Sequence, residues 1–328
     1  MWRNAVGLRP NAGLAVMMLT LSVANPAHAQ LVAVRVQTFE SITLTDTEFL
    51  NGKQDGKTVT LGAILRIPRP GADRLPAAIL LHGSGGLAGY VDDWARWLNA
   101  IGIATLELDS FTGRGLLSVS NDQGQLGRLA TIVDAYRALA LLSRHPRIDS
   151  TRVALIGFSR GGQAALYASM RRFQSMHLSA GLGFAAYVAF YPDCRTTYLN
   201  EVDVVDKPIR IFHGASDDYS PVDACLSYVE RLRRAQKDVQ LTQYANAHHA
   251  FDWPALKTPI RMDKAQTTRR CHLKEVENGR IINSDTRETF SYDDPCVERG
   301  TTIAYDEQAY EAVQKALREF MIVTLTPE

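Results

Sequence analysis

The sequence predicts an α/β fold in which helices cover both faces of a mostly parallel, doubly wound sheet. The first observation is a set of short, continuous apolar runs, which are typical of strands buried on both faces; they span 77–81, 103–108, 153–158, 185–190 and 209–212. The second is a set of intervening segments that can form amphipathic helices; they span 92–101, 125–143, 163–171 and 224–235. Right-handed crossovers would bring the loops after these strands to one edge of the sheet, where a ligand site is expected.

The length and composition fit one large globular domain. The chain has 328 residues, of which 46% are hydrophobic and 22% charged, so it can bury a sizeable core without a second domain. Its formal net charge of +1 gives no electrostatic reason to expect nucleic acid or an anionic membrane surface as a partner.

The first 29 residues have the pattern of a secretory signal peptide. Arg3 and Arg9 give a positive start, residues 13–24 are apolar, and Ala27-His28-Ala29 offers a small-x-small cleavage site before Gln30. The alternative is a retained membrane anchor, but the apolar run is shorter than the ~20 residues of a spanning helix. Cleavage removes two basic and no acidic residues, so the net charge changes from +1 to −1. We expect a periplasmic or secreted mature chain, 30–328, without a membrane association.

The mature chain begins with a pattern of antiparallel strands. Apolar and polar residues alternate through 31–50 and again through 58–68, as in strands that are half exposed at a sheet edge. Asn51-Gly52 and Asp55-Gly56 lie between the two stretches and indicate a hairpin-like connection.

The segment 257–302 differs in composition from the rest of the chain. It is polar and charged and lacks apolar periodicity, whereas 306–321 resumes an amphipathic helix. Because it has too few apolar residues to bury a core of its own, we expect an insertion before the last helix rather than a separate domain.

All four cysteines lie after the predicted signal peptide. An even number of cysteines in an exported protein favours disulfides, and no Cys-x-x-Cys spacing indicates zinc. Of the three possible pairings we favour Cys271 with Cys296 and Cys194 with Cys225, because each bond would staple a neighbouring loop region. Four free, buried thiols are the alternative.

A Gly-x-Ser-x-Gly pattern between a strand and a helix marks a candidate nucleophile. Ser159 lies in Gly157-Phe158-Ser159-Arg160-Gly161-Gly162, after the apolar run 153–156 and before the helix-like segment 163–167. Flanking glycines allow a strained turn that exposes the serine hydroxyl at the end of the sheet. The alternative is a serine that only shapes the turn, since the five-residue pattern also occurs by chance.

Candidate partners for this serine follow later strands. A serine hydroxyl needs a histidine to accept its proton and an acid to orient that histidine. Asp217 follows the run 209–212, and His248 and His249 follow a short strand at 239–244. The chain order Ser, Asp, His is that of the α/β-hydrolase fold.

Neighbouring residues leave part of this assignment open. We favour Asp217 over Asp218, although one of the two could instead cap the helix that begins near Ser220-Pro221. Asp193, after the run 185–190, is a rival acid, because some hydrolases place the acid after the preceding strand. His248 and His249 are adjacent, and adjacent side chains do not both face one serine.

A glycine-rich loop upstream is a candidate oxyanion hole. His82-Gly83-Ser84-Gly85-Gly86 follows the run 77–81. We predict that the backbone N–H groups of Arg160 and Ser84 stabilise the negative oxygen of a tetrahedral intermediate. No Lys-Ser or Lys-Thr follows the glycines, so a phosphate-binding loop is not indicated. His82 is expected to shape the loop.

From about Thr58 onward the sequence resembles the dienelactone hydrolase family of α/β-hydrolases. The motifs that carry the resemblance are His82-Gly83-Ser84-Gly85-Gly86, Asp109-Ser110-Phe111 with Arg114-Gly115, Arg147-Ile148-Asp149, the stretch 157–162, Gly214-x-x-Asp217 and His249-Ala250-Phe251. The resemblance implies ester or lactone hydrolysis by a triad of Ser159, Asp217 and His249. This chain departs from the best-known members, which carry cysteine at the position of Ser159, and from cytoplasmic members in its predicted export and its insertion.

Two arginines lie on loops that we expect to border the pocket. Arg114 or Arg160 could bind a substrate carboxylate bidentately, and Arg114 is our candidate for such a substrate contact. The alternative for either residue is a solvated surface arginine.

These patterns together predict an exported serine hydrolase that cleaves a small-molecule ester or lactone through an acyl-enzyme on Ser159. No metal or cofactor is indicated. The runner-up is a peptidase on the same fold, and the alternative from another class is a non-catalytic binding protein that kept the fold.

Overall fold

The computed structural model describes residues 1–2 and 33–325. The predicted signal peptide, apart from its first two residues, and its cleavage site at Ala29 lie outside this part of the chain. Within the described part there are thirteen strands: β1 (Ala33–Thr43), β2 (Lys57–Ile67), β3 (Leu75–Leu81), β4 (Ala104–Asp109), β5 (Ile148–Phe158), β6 (Ala186–Phe190), β7 (Thr196–Thr197), β8 (Ile209–Gly214), β9 (Val239–Tyr244), β10 (Ile260–Thr267), β11 (Leu273–Val276), β12 (Arg280–Asn283) and β13 (Glu298–Ile303).

Eight of these strands form the central sheet, in the order β1-β2-β4-β3-β5-β6-β8-β9. β1 and β2 pair antiparallel, as does β2 with β4. The neighbours from β4 to β9 are all parallel. The mostly parallel sheet that the apolar runs predicted is therefore confirmed, with an antiparallel edge at its N-terminal side.

Seven α-helices accompany the strands in the described part: α1 (Asp46–Leu50), α2 (Gly89–Ala100), α3 (Ala130–Ser143), α4 (Arg160–Tyr167), α5 (Arg171–His177), α6 (Asp223–Arg234) and α7 (Glu307–Leu325). Side chains of α3, α4 and α6 enter one hydrophobic core, and side chains of α2 and α7 enter a second. Alternate residues of β3 belong to different cores: Ile79 and Leu81 face the first, and Ala78 and Leu80 the second. The sheet is thus covered by helices on both faces.

The connection between β1 and β2 differs from the expected hairpin. β1 ends at Thr43, and the next residues form the short helix α1 rather than a continuation of the strand. Thr45 caps this helix, since its side chain accepts from the N–H of Glu48 while the Glu48 carboxylate accepts from the N–H of Thr45. The pattern Thr45-x-x-Glu48 that forms this reciprocal cap is a sequence signal for the start of a helix, and the chain follows it here rather than the apolar alternation.

The segment 257–302 also contains more regular structure than its composition indicated. β10 pairs antiparallel with β13, and β11 pairs antiparallel with β12 and parallel with β7. Leu273 of β11 and Ile281 of β12 join the core that α3, α4 and α6 share. The strands are stabilised by packing against the main domain, which local periodicity does not reveal.

Two disulfides join the cysteines in the favoured pairs. Cys194, after β6, is bonded to Cys225 on α6, and Cys271 is bonded to Cys296 within the segment 257–302. Both bonds are compatible with an oxidising compartment. Across the described residues, no helix is long and apolar enough to cross a membrane.

Candidate active site

Ser159 lies at a sharp turn between β5 and α4. Its backbone has φ 54° and ψ −115°, a conformation that costs free energy for a residue with a side chain and is often held at functional sites. The flanking glycines are required sterically, because a Cβ at Gly157 would collide with the carbonyl of Gly161, and one at Gly161 with the carbonyl of Leu81. Glycine at these positions lets the chain turn tightly enough to present the serine hydroxyl.

The structure brings Ser159, His249 and Asp217 together. The distance from Ser159 Oγ to His249 Nε2 is 2.8 Å, and that from His249 Nδ1 to Asp217 Oδ2 is 2.7 Å. His249 and Asp217 are buried, at 3% and 5% exposure. Nδ1–H therefore donates to the carboxylate and leaves Nε2 free to accept the serine proton, which is the geometry that nucleophile activation requires.

Asp217 is held in its ionised form by its neighbours. Burial by itself would raise the pKa of this carboxyl, but the His249 imidazole, the nearby His213 ring and the Ser220 N–H together lower it below the ordinary value. Its second oxygen, Oδ1, accepts from the N–H groups of Tyr219 and Ser220, each at 2.8 Å. These two bonds fix the carboxylate while the first oxygen faces His249.

The neighbouring candidates have other partners. Asp218 accepts from the N–H of Thr302 at 2.7 Å and so ties the loop after β8 to β13. Asp193 accepts from Arg128 Nη1 at 3.0 Å and from Thr268 Oγ1 at 2.6 Å. Among the described residues, His248 Nδ1 is buried without a hydrogen-bond partner. Of the five candidate acids and bases, the structure brings only Asp217 and His249 into one chain of hydrogen bonds with Ser159.

Two tyrosines, which the sequence analysis did not single out, pack against the His249 ring. The ring centroids of Tyr191 and Tyr219 lie 4.6 Å and 4.7 Å from that of His249. The Tyr191 hydroxyl donates to Asp252 Oδ1 at 2.6 Å, and Trp94 Nε1 donates to Asp252 Oδ2 at 2.7 Å. Burial raises the pKa of Asp252 to about 6, although both donors act to lower it.

The predicted oxyanion-hole residues lie beside the serine. Arg160 is the first residue of α4, so its N–H has no carbonyl acceptor within its own helix. Ser84 lines the same cavities as Ser159, and its carbonyl is held by the Val119 N–H at 2.8 Å. This bond holds the Ser84–Gly85 peptide, which follows the peptide that carries the Ser84 N–H.

His82 has the surroundings of a loop-shaping residue. Nδ1–H donates to the carbonyl of Gly83 at 2.8 Å, and Nε2 accepts from the N–H of Ser110 at 3.2 Å. Burial lowers the pKa of the ring, which keeps it neutral between these partners.

The structure does not bring Arg114 to the site, and the predicted substrate contact is wrong. Its guanidinium forms a buried ion pair with Asp134 at 2.8 Å and also donates to Thr43, Ile42 and Ser110. It lines a separate cavity near β2 and neither of the cavities at Ser159. The side chain fastens β1 to α3, where Asp134 lies.

Ser159 lies between two cavities of different character. One, of about 120 Å³, has a mainly apolar lining; it includes Ala88, Tyr90, Ala250, Trp253, Met262 and Ile303. The other, of about 40 Å³, has a polar lining; it includes Gln123, Arg128, Gln163, Tyr219, Gln266 and Tyr292. The segment 257–302 contributes to both cavities, so it forms part of the site wall. No local motif could have identified these side chains as a set, because they come from helices, strands and loops far apart in the chain.

Metal ligands do not cluster in the part of the chain that the structure describes. Its side chains form no group of three or more His, Cys, Asp or Glu that could hold a metal ion.

The sheet and the strand-turn-helix at Ser159 define the class of protein as an α/β-hydrolase fold. Among solved structures, the dienelactone hydrolase-like promiscuous phosphotriesterase P91 from metagenomic libraries shares this fold at a TM-score of 0.59 and 18% identity. The alignment covers 89% of this chain and 99% of that one. At this identity the likeness establishes the fold alone.

Within this class, the chain belongs to the dienelactone hydrolase family, whose model matches residues 63–272. A protein of Bradyrhizobium sp. described as a probable 2-oxo-3-(5-oxofuran-2-ylidene)propanoate lactonase is 26% identical over 185 residues, which cover 54% of this chain and 74% of that protein. The uncharacterized peptidase YtmA of Bacillus subtilis (strain 168) is 25% identical over 143 residues, which cover 36% and 55%. The family is one of hydrolases, and the resemblance inferred from the motifs is confirmed.

Proposed function

We propose that this protein is a serine hydrolase that cleaves a carboxylic ester or lactone through an acyl-enzyme on Ser159. The observation that carries the proposal is the continuous chain of hydrogen bonds from Ser159 Oγ through His249 to Asp217, at 2.8 Å and 2.7 Å. A serine at this turn, beside a buried histidine that an ionised carboxylate orients, is the arrangement required for acyl transfer.

In the first half of the reaction, His249 Nε2 accepts the proton of Ser159 as Oγ bonds to the substrate carbonyl carbon. The carbonyl oxygen becomes negative and would be stabilised by the N–H groups of Arg160 and Ser84. The ester C–O bond then breaks, and the alcohol leaves with the proton from His249. In a lactone the leaving alcohol stays attached to the acyl group.

In the second half, water attacks the acyl-enzyme with His249 as the base, and the acid product leaves as the Ser159 hydroxyl is restored. Asp217 stabilises the imidazolium in both halves by accepting from Nδ1–H. The depressed pKa of Asp217 keeps it ionised for this role.

Covalent labelling tests the nucleophile. A fluorophosphonate probe should modify the wild-type protein at Ser159, and Ser159→Ala should lose both the label and ester hydrolysis while it keeps the wild-type circular dichroism spectrum. Folded wild-type protein that is neither labelled nor active on a broad ester panel would refute the proposal and favour a non-catalytic binding protein. A matched ester and anilide of one acyl group separate an esterase from a peptidase.

The acid can be tested with an adjacent pair of variants. Asp217→Asn should lower kcat/KM by about 10³- to 10⁴-fold, because it removes the charge that orients and stabilises His249. Asp218→Asn is the matched control and should cost far less, since its carboxylate holds Thr302 rather than His249. A larger loss in Asp218→Asn would assign the acid to that residue instead.

We also propose that the protein acts in the periplasm or outside the cell. The residue pattern of the first 29 positions supports export, and the two disulfides agree with an oxidising compartment.

A further inference from the structure

The smaller cavity beside Ser159 is bounded by one face of α4. Arg160 and Gln163 are three residues apart on this helix and both line the cavity, so their side chains emerge on the same side. They are 5% and 3% exposed. The cavity therefore has two buried polar side chains within one helical turn of the nucleophile.

Each of these side chains holds a donor that the protein itself does not satisfy. Arg160 Nε and Gln163 Nε2 are buried, and neither has a hydrogen-bond partner among the described residues. The other nitrogens of Arg160 donate to Gln123 Oε1 at 2.8 Å and to the carbonyls of Leu126 and Gly127, so the guanidinium cannot turn away. Buried donors without acceptors are costly, and a guanidinium has no acceptor atom, so the group that fits here is an acceptor.

The charges around this cavity favour an uncharged acceptor. Arg128 is paired with Asp193 at 3.0 Å, and Asp46 lies close enough to Arg128 and Arg160 to interact with both charges. Two guanidinium groups thus face two carboxyl groups, and burial raises the pKa of Asp46. A substrate carboxylate would add a third carboxyl group to this buried site, which is unfavourable.

The two cavities differ in volume as well as in lining. The polar cavity, of about 40 Å³, has room for a smaller group than the apolar cavity of about 120 Å³ on the side of Trp253 and Met262. The site is therefore built for a substrate with one small polar end and one apolar end.

We propose that the cavity beside α4 is a subsite for a neutral, hydrogen-bond-accepting oxygen of the substrate, which Gln163 Nε2 and Arg160 Nε bind. This inference rests on the proposed ester hydrolysis and specifies its substrates as esters that carry an ether, hydroxyl or carbonyl oxygen a few bonds from the scissile carbonyl. Gln163 is a specificity-determining residue in this assignment.

Isosteric ester pairs test the subsite without assuming which end of the ester enters it. The acyl pair is 4-nitrophenyl methoxyacetate and 4-nitrophenyl butyrate, and the alcohol pair is 2-methoxyethyl acetate and butyl acetate. In each pair an ether oxygen replaces one CH₂ group. For each pair, kcat/KM for the ether ester is divided by kcat/KM for the alkyl ester. This ratio is compared between wild type and Gln163→Met. Because both proteins act on the same two esters, the intrinsic reactivity of the esters cancels.

We expect the ratio of ether ester to alkyl ester to fall about five- to tenfold in Gln163→Met for one of the two pairs, as loss of one donor to a neutral oxygen implies. The pair that responds identifies the end bound by Gln163. Gln240→Met, an exposed position on β9, is the control and should leave both ratios as in wild type. Gln163→Leu serves as a second variant in case Gln163→Met does not fold.

Unchanged ratios for both pairs, in a variant that still reacts with the fluorophosphonate probe, would overturn the subsite and leave the proposed hydrolysis intact. A preference for monomethyl succinate over methyl butyrate that Gln163→Met abolishes would overturn the neutral ligand in favour of a carboxylate. If wild type neither hydrolyses any ester nor is labelled, the proposed function itself fails, and the subsite fails with it.

Discussion

At the scale of single residues, the position of His249 depends on a carboxyl that does not contact it. Asp252 binds the hydroxyl of Tyr191, and the Tyr191 ring packs on His249. Tyr191 has φ 38°, an uncommon conformation for a side chain of this size, which its bond to Asp252 helps to hold. The position of the imidazole is thus determined by an aromatic contact as well as by Asp217.

The raised pKa of Asp252 predicts a pH-dependent cost to stability. An aspartate with a pKa near 3.8 in the unfolded chain and about 6 in the folded protein holds its proton longer in the folded state. Its contribution therefore destabilises the fold progressively as pH rises from about 4 to 6, by up to about 3 kcal/mol. Relative to wild type, the free energy of unfolding of Asp252→Asn should therefore increase by that amount between pH 4 and pH 7. Urea-unfolding experiments measure this difference.

Asp93→Asn is the control for this measurement, since Asp93 is exposed on α2. Its difference in unfolding free energy from wild type measures the effect of an exposed Asp-to-Asn change over the same pH range. A constant difference for Asp252→Asn would show that the buried carboxyl does not titrate there.

The sequence identifies the residues with local signals and misses those without them. Ser159 is found because a strand-turn-helix requires glycines at fixed offsets, and Asp217 because it follows a predicted strand. The choice of His249 over His248 rests on the resemblance to the family. Gln163 and Tyr219 lie next to such motifs, but only tertiary packing shows that their side chains face the cavity. Arg114 was misplaced because a basic residue on a loop can pair with a distant acid, here Asp134, which the sequence does not indicate.

At the scale of elements, the segment 257–302 is part of the site rather than an appendage. β10 contributes Met262 and Gln266 to the cavity walls, and β13 contributes Ile303. The N–H of Ala304 donates to the carbonyl of His249 at 3.1 Å. Strands β10 to β13 escaped prediction because several of their buried side chains are polar, as Glu275, Asn283 and Thr301 are, so no apolar alternation marks them.

Removal of either disulfide should lower the free energy of unfolding by a similar amount. The paired cysteines are 25 residues apart in Cys271–Cys296 and 31 apart in Cys194–Cys225, and loops of this length correspond to about 3 to 4 kcal/mol in the chain-entropy model. Chemical denaturation of Cys271→Ala/Cys296→Ala and of Cys194→Ala/Cys225→Ala measures both losses.

Loss of the Cys271–Cys296 bond should also affect catalysis. Looser packing of β13 would displace Ile303 and the backbone of His249, and a small displacement of a catalytic group lowers kcat/KM by about tenfold or more. Wild-type kinetics in a folded Cys271→Ala/Cys296→Ala variant would contradict the inferred coupling between this segment and the base.

At the scale of the whole molecule, the parallel sheet explains how distant residues meet. The loops after β3, β5, β6, β8 and β9 begin at the same edge, and they carry Ser84, Ser159, Asp193, Asp217 and His249. The apolar runs predicted this edge correctly, and β9 has the same bounds in the structure as in the prediction. The hydrophobic pattern of the sequence therefore predicted the fold class, but it did not predict the shape of the cavities.

The proposed export predicts a defined N-terminus for the mature protein. If the signal peptide is cleaved after Ala29, N-terminal sequencing of the protein recovered from the periplasm or medium should begin at Gln30. Replacement of Ala27 and Ala29 by larger residues should block processing, because the cleavage site requires small side chains. Recovery of an unprocessed chain that starts at Met1 would support a retained anchor.

If the protein is exported as proposed, the hydrogen bond from Ala304 to His249 would link its activity to the compartment in which it folds. A chain still in a reducing cytosol has no Cys271–Cys296 bond, so β13 would not yet hold the backbone of the base in its final position. Under the proposed function, the precursor would be largely latent, and full activity would develop only after export and oxidation. Such a delay would protect ester bonds inside the cell that makes the protein.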